Sequence, residues 1–438
     1  MQYQTANVCH KCIHDIFVIK KIKREGKVKK CRYCESKKKC ISINDLAEYV
    51  DQYIKNNYDP AKKEAYFVDN SGNFSEEQDG EPIELILVNI LDCHISIALD
   101  IAKALESNES YRTIKNGNSF YYDNLFIEKR IDTNDLQESW LLFCHEVKHS
   151  TRFSISRNKT LDNIFSDLEK YKTYIGASLI KEIRPQDSDA IFFRARWSDK
   201  KEEIIDILLN PESKLGPPPV QIVKPGRMNP AGISVFYGAY DVETCIAEVR
   251  PPVGSWAITG KFVLLRQIQV LDLTLLDQYF TDMSVFDPEY QHKSAHMQFL
   301  RELHHEISKP ISTNNCELEY IPTQVIAEYL ANHNGIDGII YSSSQTGEDG
   351  KNIVIFNKTC KVKQHKRSEI QPRPYFIENE DNCTVLINHI EIDDECDDTQ
   401  YSLELTRDSI RVHRVEAAKM EYATKYIFIQ DSKKNTIQ

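Results

Sequence analysis

The chain has 438 residues, of which 41% are hydrophobic, so it is too long for one ordinary domain and has enough apolar side chains for two to four folded units. Its formal net charge of −11 argues against a protein that binds nucleic acid over its whole surface, although it allows a local basic patch. No run approaches the roughly 18 apolar residues of a membrane-spanning helix, and the polar start MQYQTANVCHKC is no secretory signal, so we expect a cytoplasmic protein without membrane association.

Two Cys-x2-Cys pairs lie near the amino terminus. They are separated by eighteen residues, a spacing that lets two knuckles present four thiolates to one tetrahedral Zn²⁺. Because all four ligands are cysteine, no position is left open for a substrate, and we expect one structural zinc ion per chain in a module over residues 1 to 44. The ligands are Cys9, Cys12, Cys31 and Cys34.

A basic segment, KKIKREGKVKKCRYCESKKKC, runs between and after these pairs. We favour a solvated hairpin whose positive charge balances the zinc tetrathiolate, because aromatic residues for stacking on bases are nearly absent. Contact with nucleic acid through this segment is the second interpretation.

Helical periodicity dominates residues 45 to 184. Runs such as SINDLAEYVDQYIKNNY and IELILVNILDCHISIALDIAKALES predict a mainly helical domain, with a polar loop over 66 to 82. His145, Glu146 and His149 match the H-E-x-x-H pattern of zinc peptidases, with Glu169 as a candidate third ligand. A structural role is favoured here, because Lys148 lies between the histidines where a metal-binding face would be apolar.

The pattern changes near residue 190. AIFFRARW and FVLLRQIQVLDL alternate as strands do, GIIYSSS and KNIVIFN are short apolar runs, and YIPTQVIAEYLANH is helical. This order predicts an α+β protein with a mixed α/β domain over residues 185 to 365. Past residue 366, TVLINHIEI and YSLELTRDSIRVHRV predict a small strand-rich extension to residue 438, in which we find no chemistry.

The stretch GRMNPAGISVFYGAYDVETCIAEVRPP, residues 226 to 252, combines several binding features. Its turns place Arg227 on a loop, where a guanidinium can bind phosphate through two hydrogen bonds. Tyr237 follows on a strand, and Asp241 can cap a helix that carries Glu248, half shielded at the flank of the buried face. Nucleotide binding and stabilisation of a cationic sugar need a phosphate-binding group, an aromatic ring and a carboxylate, and this stretch has all three. The same residues also have a structural explanation, in which Arg227 is solvated and Glu248 forms a surface ion pair.

This stretch, with FFRAR at 192 to 196 and GIDGIIYSSSQTGEDGKNIVIF at 335 to 356, closely resembles the RES domain family, which is named for its Arg, Glu and Ser residues. The resemblance covers about residues 185 to 365. It implies a fold similar to that of ADP-ribosyltransferases, with NAD⁺ in a cleft between small sheets, and the NAD⁺-destroying activity of toxins from bacterial toxin–antitoxin pairs. The cysteine pairs and the helical region resemble the amino-terminal domain of one branch of RES proteins.

The resemblance also implies the site residues. The five matched positions are Arg194, Arg227, Tyr237, Glu248 and Ser343. Arg196 is a second choice for the position matched by Arg194. Ser342 and Ser344 are alternatives to Ser343, because this chain reads Tyr-Ser-Ser-Ser where the family often has proline before the serine.

The implied reaction breaks the nicotinamide–ribose bond of NAD⁺. Nicotinamide leaves as a neutral base, and a carboxylate stabilises the oxocarbenium-like ribose, a role that falls to Glu248. Arg194 and Arg227 would hold the pyrophosphate, Tyr237 would stack on nicotinamide or ribose, and Ser343 would orient the substrate. Hydrolysis is expected ahead of transfer to phosphate or protein.

A toxic enzyme needs restraint, which an antitoxin or defence partner or the chain's own amino-terminal region would supply. A homo-oligomer is a further candidate assembly. One alternative function is a zinc-ribbon interaction protein that binds a nucleotide without turnover. Another is the metallopeptidase, which requires a second zinc ion per chain.

Overall fold

The computed structural model places most of the chain in two compact units. Unit 1 consists of Met1–Glu146, Ser154–Leu179 and Leu275–His305, and unit 2 of Val147–Phe153, Ile180–Thr274 and Glu306–Gln438. Both units are therefore assembled from separate stretches of sequence. The residues that the structure describes are 6–67, 74–109, 119–150, 152, 157–165, 168–170, 177–276, 283–309, 316–333, 335–346, 350–364, 366–367, 375–379, 382–386, 392–393 and 400–418.

Unit 1 begins with a small antiparallel sheet in the order β1-β3-β2, formed by β1 (Asn7–Cys9), β2 (Lys27–Lys30) and β3 (Lys37–Ser42). Further short strands are β4 (Tyr58–Pro60), β5 (Lys63–Phe67), β6 (Phe74–Gln78), β7 (Glu81–Pro82) and β8 (Leu125–Glu128). Because β5 pairs with β6, the polar loop expected over 66 to 82 is wrong for these two strands.

The helices of this region are Ile16–Glu25, Ile43–Asn57, Ile83–Leu91, Ile95–Asn108, Asn134–His149 and Arg157–Phe165. The last five follow the predicted periodicity, but the first was not predicted. It includes residues 20 to 25 of the basic segment, so the hairpin expected there is limited to β2 and β3. Ser42 caps the second helix, with its hydroxyl accepting from the Asp45 amide at 3.1 Å. Val50 and Ile101 lie in one buried cluster with Phe286 and Tyr290, which come from the distant segment Leu275–His305. That segment therefore completes the core of unit 1.

Unit 2 is built on an eight-stranded mixed sheet with the order β20-β12-β10-β11-β15-β14-β13-β9. Neighbouring strands are antiparallel except for the parallel pair β13 and β14. The strands are β9 (Ile180–Ile183), β10 (Ile191–Ser198), β11 (Phe236–Ala239), β12 (Trp256–Leu264), β13 (Ile268–Asp272), β14 (Gly338–Ser342), β15 (Lys351–Ile355) and β20 (Leu403–Arg414).

Helices accompany this sheet at Lys201–Leu209, Pro211–Leu215, Val242–Val249, Cys316–Glu319 and Ile321–His333, and the helix Tyr290–Ser308 runs from unit 1 into unit 2. Phe192, Phe236 and Phe262 are fully buried on adjacent strands, and the rings of Phe236 and Phe262 meet edge to face at 4.9 Å. The predicted mixed α/β character is confirmed. One large sheet replaces the small sheets that the family resemblance implied.

The predicted separate carboxyl-terminal extension is corrected at its last strand. β20 pairs with the full length of β12, from Trp256 opposite Arg414 to Leu264 opposite Leu403. Arg407 on β20 also donates from Nε to a Glu212 carboxylate oxygen at 2.6 Å, in a pair that is largely buried. This strand is thus the edge of the main sheet. Its alternating sequence predicted a strand but not the sheet to which the strand belongs. The other short strands in this region are β16 (Lys366–Arg367), β17 (Tyr375–Asn379), β18 (Asn382–Leu386) and β19 (Ile392–Asp393).

Within the described part of the chain, no helix has the length and apolarity required to span a membrane.

Candidate functional site

A cleft of about 550 Å³, which includes space open to solvent, lies in unit 2 over strands β10, β11 and β15. These strands are neighbours in the sheet, and the helix Val242–Val249 follows β11 directly. The cleft is lined by Phe193, Arg194, Ala195, Arg196, Tyr237, Gly238, Ala239, Cys245, Glu248, Val249, Tyr341 and Asn352. Four of the predicted site residues therefore share one cavity.

Glu248 lies in the last turn of the helix Val242–Val249. The expected cap is confirmed, because the Asp241 carboxylate accepts from the Thr244 amide at 2.7 Å. One carboxylate oxygen of Glu248, Oε1, accepts from Ser343 Oγ at 2.6 Å and from Asn352 Nδ2 at 2.7 Å. Glu248 is exposed, but its Oε1 is covered by these two donors, so half shielding of the carboxylate stays a prediction. The two hydrogen bonds orient the carboxylate through Oε1, and neither engages Oε2.

Of the three candidate serines, Ser343 is the one that contacts Glu248. It is 2% exposed, and its amide donates to the Gly350 carbonyl at 2.7 Å. Ser342 ends β14, whereas Ser344 is exposed and accepts from the Gln345 side chain at 3.2 Å. The structure thus selects the serine whose hydroxyl orients the carboxylate.

Arg194 on β10 is 6% exposed and carries a guanidinium nitrogen, Nη1, that is buried without a hydrogen-bond partner. Its Cζ lies 5.2 Å from the centre of the Phe236 ring. Burial, with a smaller contribution from Arg196, lowers the pKa of Arg194 to about 9, so it still carries its charge at neutral pH. A buried cation without a hydrogen-bond partner on one nitrogen is costly unless an anion joins it. Arg194 shares a face of β10 with Phe192, whereas Cys245 of the helix that carries Glu248 packs with Ala195 on the other face.

Arg196, two residues along the same strand, also lines the cleft. Its Nε donates to the Lys214 carbonyl at 3.4 Å, and burial lowers its pKa. Arg194 and Arg196 together make this wall cationic.

Arg227 is not among the residues that line the cleft. Its guanidinium donates to the Ile307 carbonyl and, at 2.8 Å, to the Lys309 carbonyl, at the carboxyl end of the helix Tyr290–Ser308. The carboxyl end of a helix attracts cations, because its last carbonyls lack partners within the helix. The loop position was predicted, but these competing carbonyl acceptors were not, because they belong to a segment about 80 residues further along the chain. Phosphate binding by Arg227 stays a prediction.

Tyr237 connects the turn of Gly226–Asn229 to the cleft. Its hydroxyl donates to Asn229 Oδ1 and accepts from the Met228 amide, both at 2.9 Å. A Cβ at Gly226 would lie 2.9 Å from this hydroxyl and 2.7 Å from Asn229 Oδ1, so a larger residue there would displace one of these two side chains. The ring of Tyr237 is thereby fixed in the cleft wall.

Two cleft residues were missed by the sequence analysis. Asn352 is 3% exposed within β15, and Tyr341 is 8% exposed within β14. Burial raises the pKa of Tyr341, with the Glu248 carboxylate as the next cause. A lone amide inside the apolar run KNIVIF was the available signal for Asn352, because a buried amide needs a polar partner.

The four amino-terminal cysteines come together in unit 1, as their spacing predicted. All four sulfurs lie within 4.8 Å of one another, with Cys9 to Cys34 at 3.5 Å and Cys12 to Cys31 at 3.8 Å. Tetrahedral zinc with thiolate ligands separates sulfurs by about 3.8 Å, so the group fits Zn²⁺. A hydrogen bond with the Ser36 hydroxyl lowers the pKa of Cys34 to about 6, which favours the thiolate that binds metal.

His145 and His149 do not form a metal site with Glu169. Among the described residues, the four cysteines are the only group of three or more such side chains that could hold a metal ion. Lys148 is paired with Glu319 at 2.7 Å. The structural interpretation of the H-E-x-x-H sequence is the one that this arrangement supports.

Comparison with family models gives two matches that follow each other along the chain. Residues 24–161 match the HEPN/RES N-terminal domain 1, and residues 206–377 match the RES domain. The second match includes Arg227, Tyr237, Glu248 and Ser343 but starts after β10, which carries Arg194. No curated protein matches the sequence.

Proposed function

Because this chain belongs to the RES domain family and carries the HEPN/RES N-terminal domain 1, we propose that it cleaves the nicotinamide–ribose bond of NAD⁺. The family is associated with NAD⁺-utilising, toxin-type activity. The observation that carries the proposal is the Glu248 carboxylate, held by Ser343 and Asn352 in the same cleft as the buried Arg194.

Substrate binding depends on charge. The pyrophosphate of NAD⁺ is a dianion, and Arg194 is a cleft-lining residue that carries a buried cation whose Nη1 has no hydrogen-bond partner. A phosphate oxygen at that nitrogen would remove the cost of burying it, and Arg196 adds a second positive charge on the same strand. The aromatic ring of Tyr237 provides a flat surface for nicotinamide or the adjoining ribose.

Cleavage depends on Glu248. When the bond between ribose C1′ and the nicotinamide nitrogen breaks, its electron pair leaves with nicotinamide and positive charge develops on the ribose. Ser343 and Asn352 fix the carboxylate through Oε1, which leaves Oε2 for the ribose hydroxyls or the developing cation. Water then attacks C1′ and releases a proton, so the products are nicotinamide, ADP-ribose and H⁺.

The four cysteines would hold a structural zinc ion that crosslinks their segments within unit 1. We assign it no part in the chemistry. The proposed biological role is a bacterial toxin or defence effector, restrained by an antitoxin or other partner protein, by self-association or by its own amino-terminal region.

The test is NMR detection of NAD⁺ incubated with the full-length, zinc-loaded protein and with Glu248→Gln. We expect free nicotinamide and ADP-ribose from the wild type, and a rate at least about 100-fold lower from the variant, because it loses the negative charge that stabilises the ribosyl cation. Glu243→Gln is the matched control, since Glu243 lies exposed in the first turn of the same helix.

Nicotinamide with a different ribosyl product would replace hydrolysis by transfer to that acceptor. Unchanged NAD⁺ with wild-type protein that still binds ADP-ribose would favour a binding protein without turnover. Equal rates for Glu248→Gln and Glu243→Gln would remove Glu248 from the mechanism.

A further inference from the structure

The hairpin formed by β2 and β3 in unit 1 carries an unusual concentration of positive charge. Residues 26 to 42 contain seven lysines and arginines and a single acidic residue, Glu35, in a chain of net charge −11. All four residues of β2 are exposed, and Lys37 and Lys39 on β3 are exposed as well. We call the paired segments 27–30 and 37–40 the lysine ribbon.

The register of the lysine ribbon places like charges opposite each other. Lys29 pairs directly with Lys38, and Lys30 pairs directly with Lys37. Successive residues of a strand point to opposite faces, so each face of the ribbon carries one lysine pair. Directly opposed like charges destabilise an antiparallel pair, and the ribbon contains two such pairs in succession.

Acidic residues compensate this repulsion only weakly. Glu35 approaches Lys30 at 3.5 Å, but both side chains are more than 60% exposed, so the pair is screened by solvent. Lys29 contacts the neutral Asn7 side chain at 3.4 Å. Within the described part of the chain, no carboxylate forms an ion pair with Lys29, Lys37 or Lys38.

Two structural explanations account for only part of this pattern. Lysines on an open strand edge prevent unwanted strand pairing, and both strands of the ribbon have such an edge where β1 does not pair with β3, but this protection does not require lysines to lie directly opposite each other. The negative charge of a zinc tetrathiolate would favour nearby cations, but it does not require lysines to face each other across two strands. A repulsive arrangement that costs stability suggests that an external anion offsets the repulsion.

We propose that the lysine ribbon binds the phosphate backbone of double-stranded nucleic acid. β1 pairs only with Cys40, Ile41 and Ser42 of β3, so the lysine-bearing part of the hairpin is a two-stranded ribbon. The major groove of a DNA duplex admits such a ribbon, with lysines on both faces near the flanking phosphates. Single strands are disfavoured, because they need aromatic side chains for stacking, and Tyr33 is engaged with Asp100 at 2.8 Å.

The experiment measures fluorescence anisotropy of labelled duplexes of about 25 base pairs, DNA and RNA separately, titrated with the full-length zinc-loaded protein. We expect micromolar binding at low salt that weakens steeply as salt rises, because counterions are released from the phosphates. Lys29→Gln/Lys38→Gln should weaken binding and reduce the negative slope of log K against log salt by about two. Lys63→Gln/Lys200→Gln, at surface lysines outside the ribbon, is the control and should leave both quantities unchanged.

Thermal unfolding of the same zinc-loaded proteins provides the second measurement. Removal of the opposed charges should raise the melting temperature of Lys29→Gln/Lys38→Gln while duplex binding falls, which loss of folding could not produce. The proposal is overturned if the wild type does not bind either duplex at low salt, or if the ribbon variant and the control bind equally. It is likewise overturned if vesicles containing phosphatidylserine bind through the ribbon lysines and duplexes do not.

Discussion

At the scale of single residues, the cleft of unit 2 joins one oriented anion with one buried cation. Glu248 is oriented through Oε1, and Arg194 presents Nη1 without a hydrogen-bond partner. Residue types and family motifs predicted Glu248, Ser343 and the four cysteines, because chemistry requires particular side chains at particular spacings. Asn352 was not predicted from residue type or motif. Its role depends on the position of β15, which lies beside β14 in the sheet and brings Asn352 to the cleft with Glu248.

The charge of Arg194 predicts how ligand binding depends on pH. Burial lowers its pKa to about 9, so the guanidinium is protonated below that value and loses its charge above it. ADP-ribose should therefore bind with constant affinity between pH 7 and 8 and progressively more weakly above pH 9, by up to about tenfold per pH unit. Isothermal titration calorimetry measures this dependence.

Arg194→Met is the reference for that experiment, because methionine fills similar space without a charge. Its affinity for ADP-ribose should be low and flat over the same pH range. A wild-type affinity that does not change between pH 8 and 10 would mean that Arg194 does not contact the pyrophosphate.

At the scale of elements, the turn of Gly226–Asn229 and strand β11 act as one structure through the Tyr237 hydroxyl. The sequence predicted the turn, the strand and the capped helix in the correct order, because proline, glycine and an N-terminal aspartate act locally. Register and strand order could not be obtained in this way. The pairing of β20 with β12, for example, joins residues about 150 positions apart, and it depends on packing that no local pattern encodes.

Gly226→Ala tests the connection between this turn and the cleft. The added Cβ would lie under 3.0 Å from both Asn229 Oδ1 and the Tyr237 hydroxyl, so their hydrogen bond must lengthen. We expect the free energy of unfolding to fall by about 1–3 kcal/mol and NAD⁺ cleavage to decrease. Urea unfolding and nicotinamide release measure the two effects.

A double-mutant cycle with Tyr237→Phe identifies the cause. If Gly226→Ala acts by displacing the tyrosine hydroxyl, its cost should be smaller in the Tyr237→Phe background, by about 0.5–3 kcal/mol. Strict additivity of the two substitutions would show that the alanine destabilises the turn independently of Tyr237.

At the scale of the whole molecule, a four-cysteine module and a large mixed sheet occur in one chain. Cysteine spacing predicted the module, because the geometry of a metal site depends on local ligand spacing. The strand patterns predicted a mixed α/β domain but not its single eight-stranded sheet, because strand order depends on pairing between distant residues. The assignment of Leu275–His305 to unit 1 was not predicted, because a helical pattern does not specify which core its apolar face joins.

The zinc site predicts a metal stoichiometry of one per chain. Cys34→Ser should lose the ion and lower the melting temperature, because zinc binding contributes directly to folding of small modules. Cys40→Ser is the matched control: Cys40 is buried beside the site but outside the ligand group, and a serine hydroxyl can donate its single hydrogen bond to the Lys29 or the Lys38 carbonyl. Elemental analysis and thermal unfolding measure both effects, and full zinc content in Cys34→Ser would contradict the assignment.

The alternation of the two units along the chain also determines when each can fold during translation. When residue 274 leaves the ribosome, the core of unit 1 still lacks Phe286 and Tyr290, although its zinc ligands were made at the start. The sheet beneath the cleft lacks β14 and β15, which carry Tyr341 and Asn352, and its edge strand is completed only at Arg414. A chain that ends before β15 therefore lacks Asn352, so the surroundings of Glu248 are complete only after β15 has emerged.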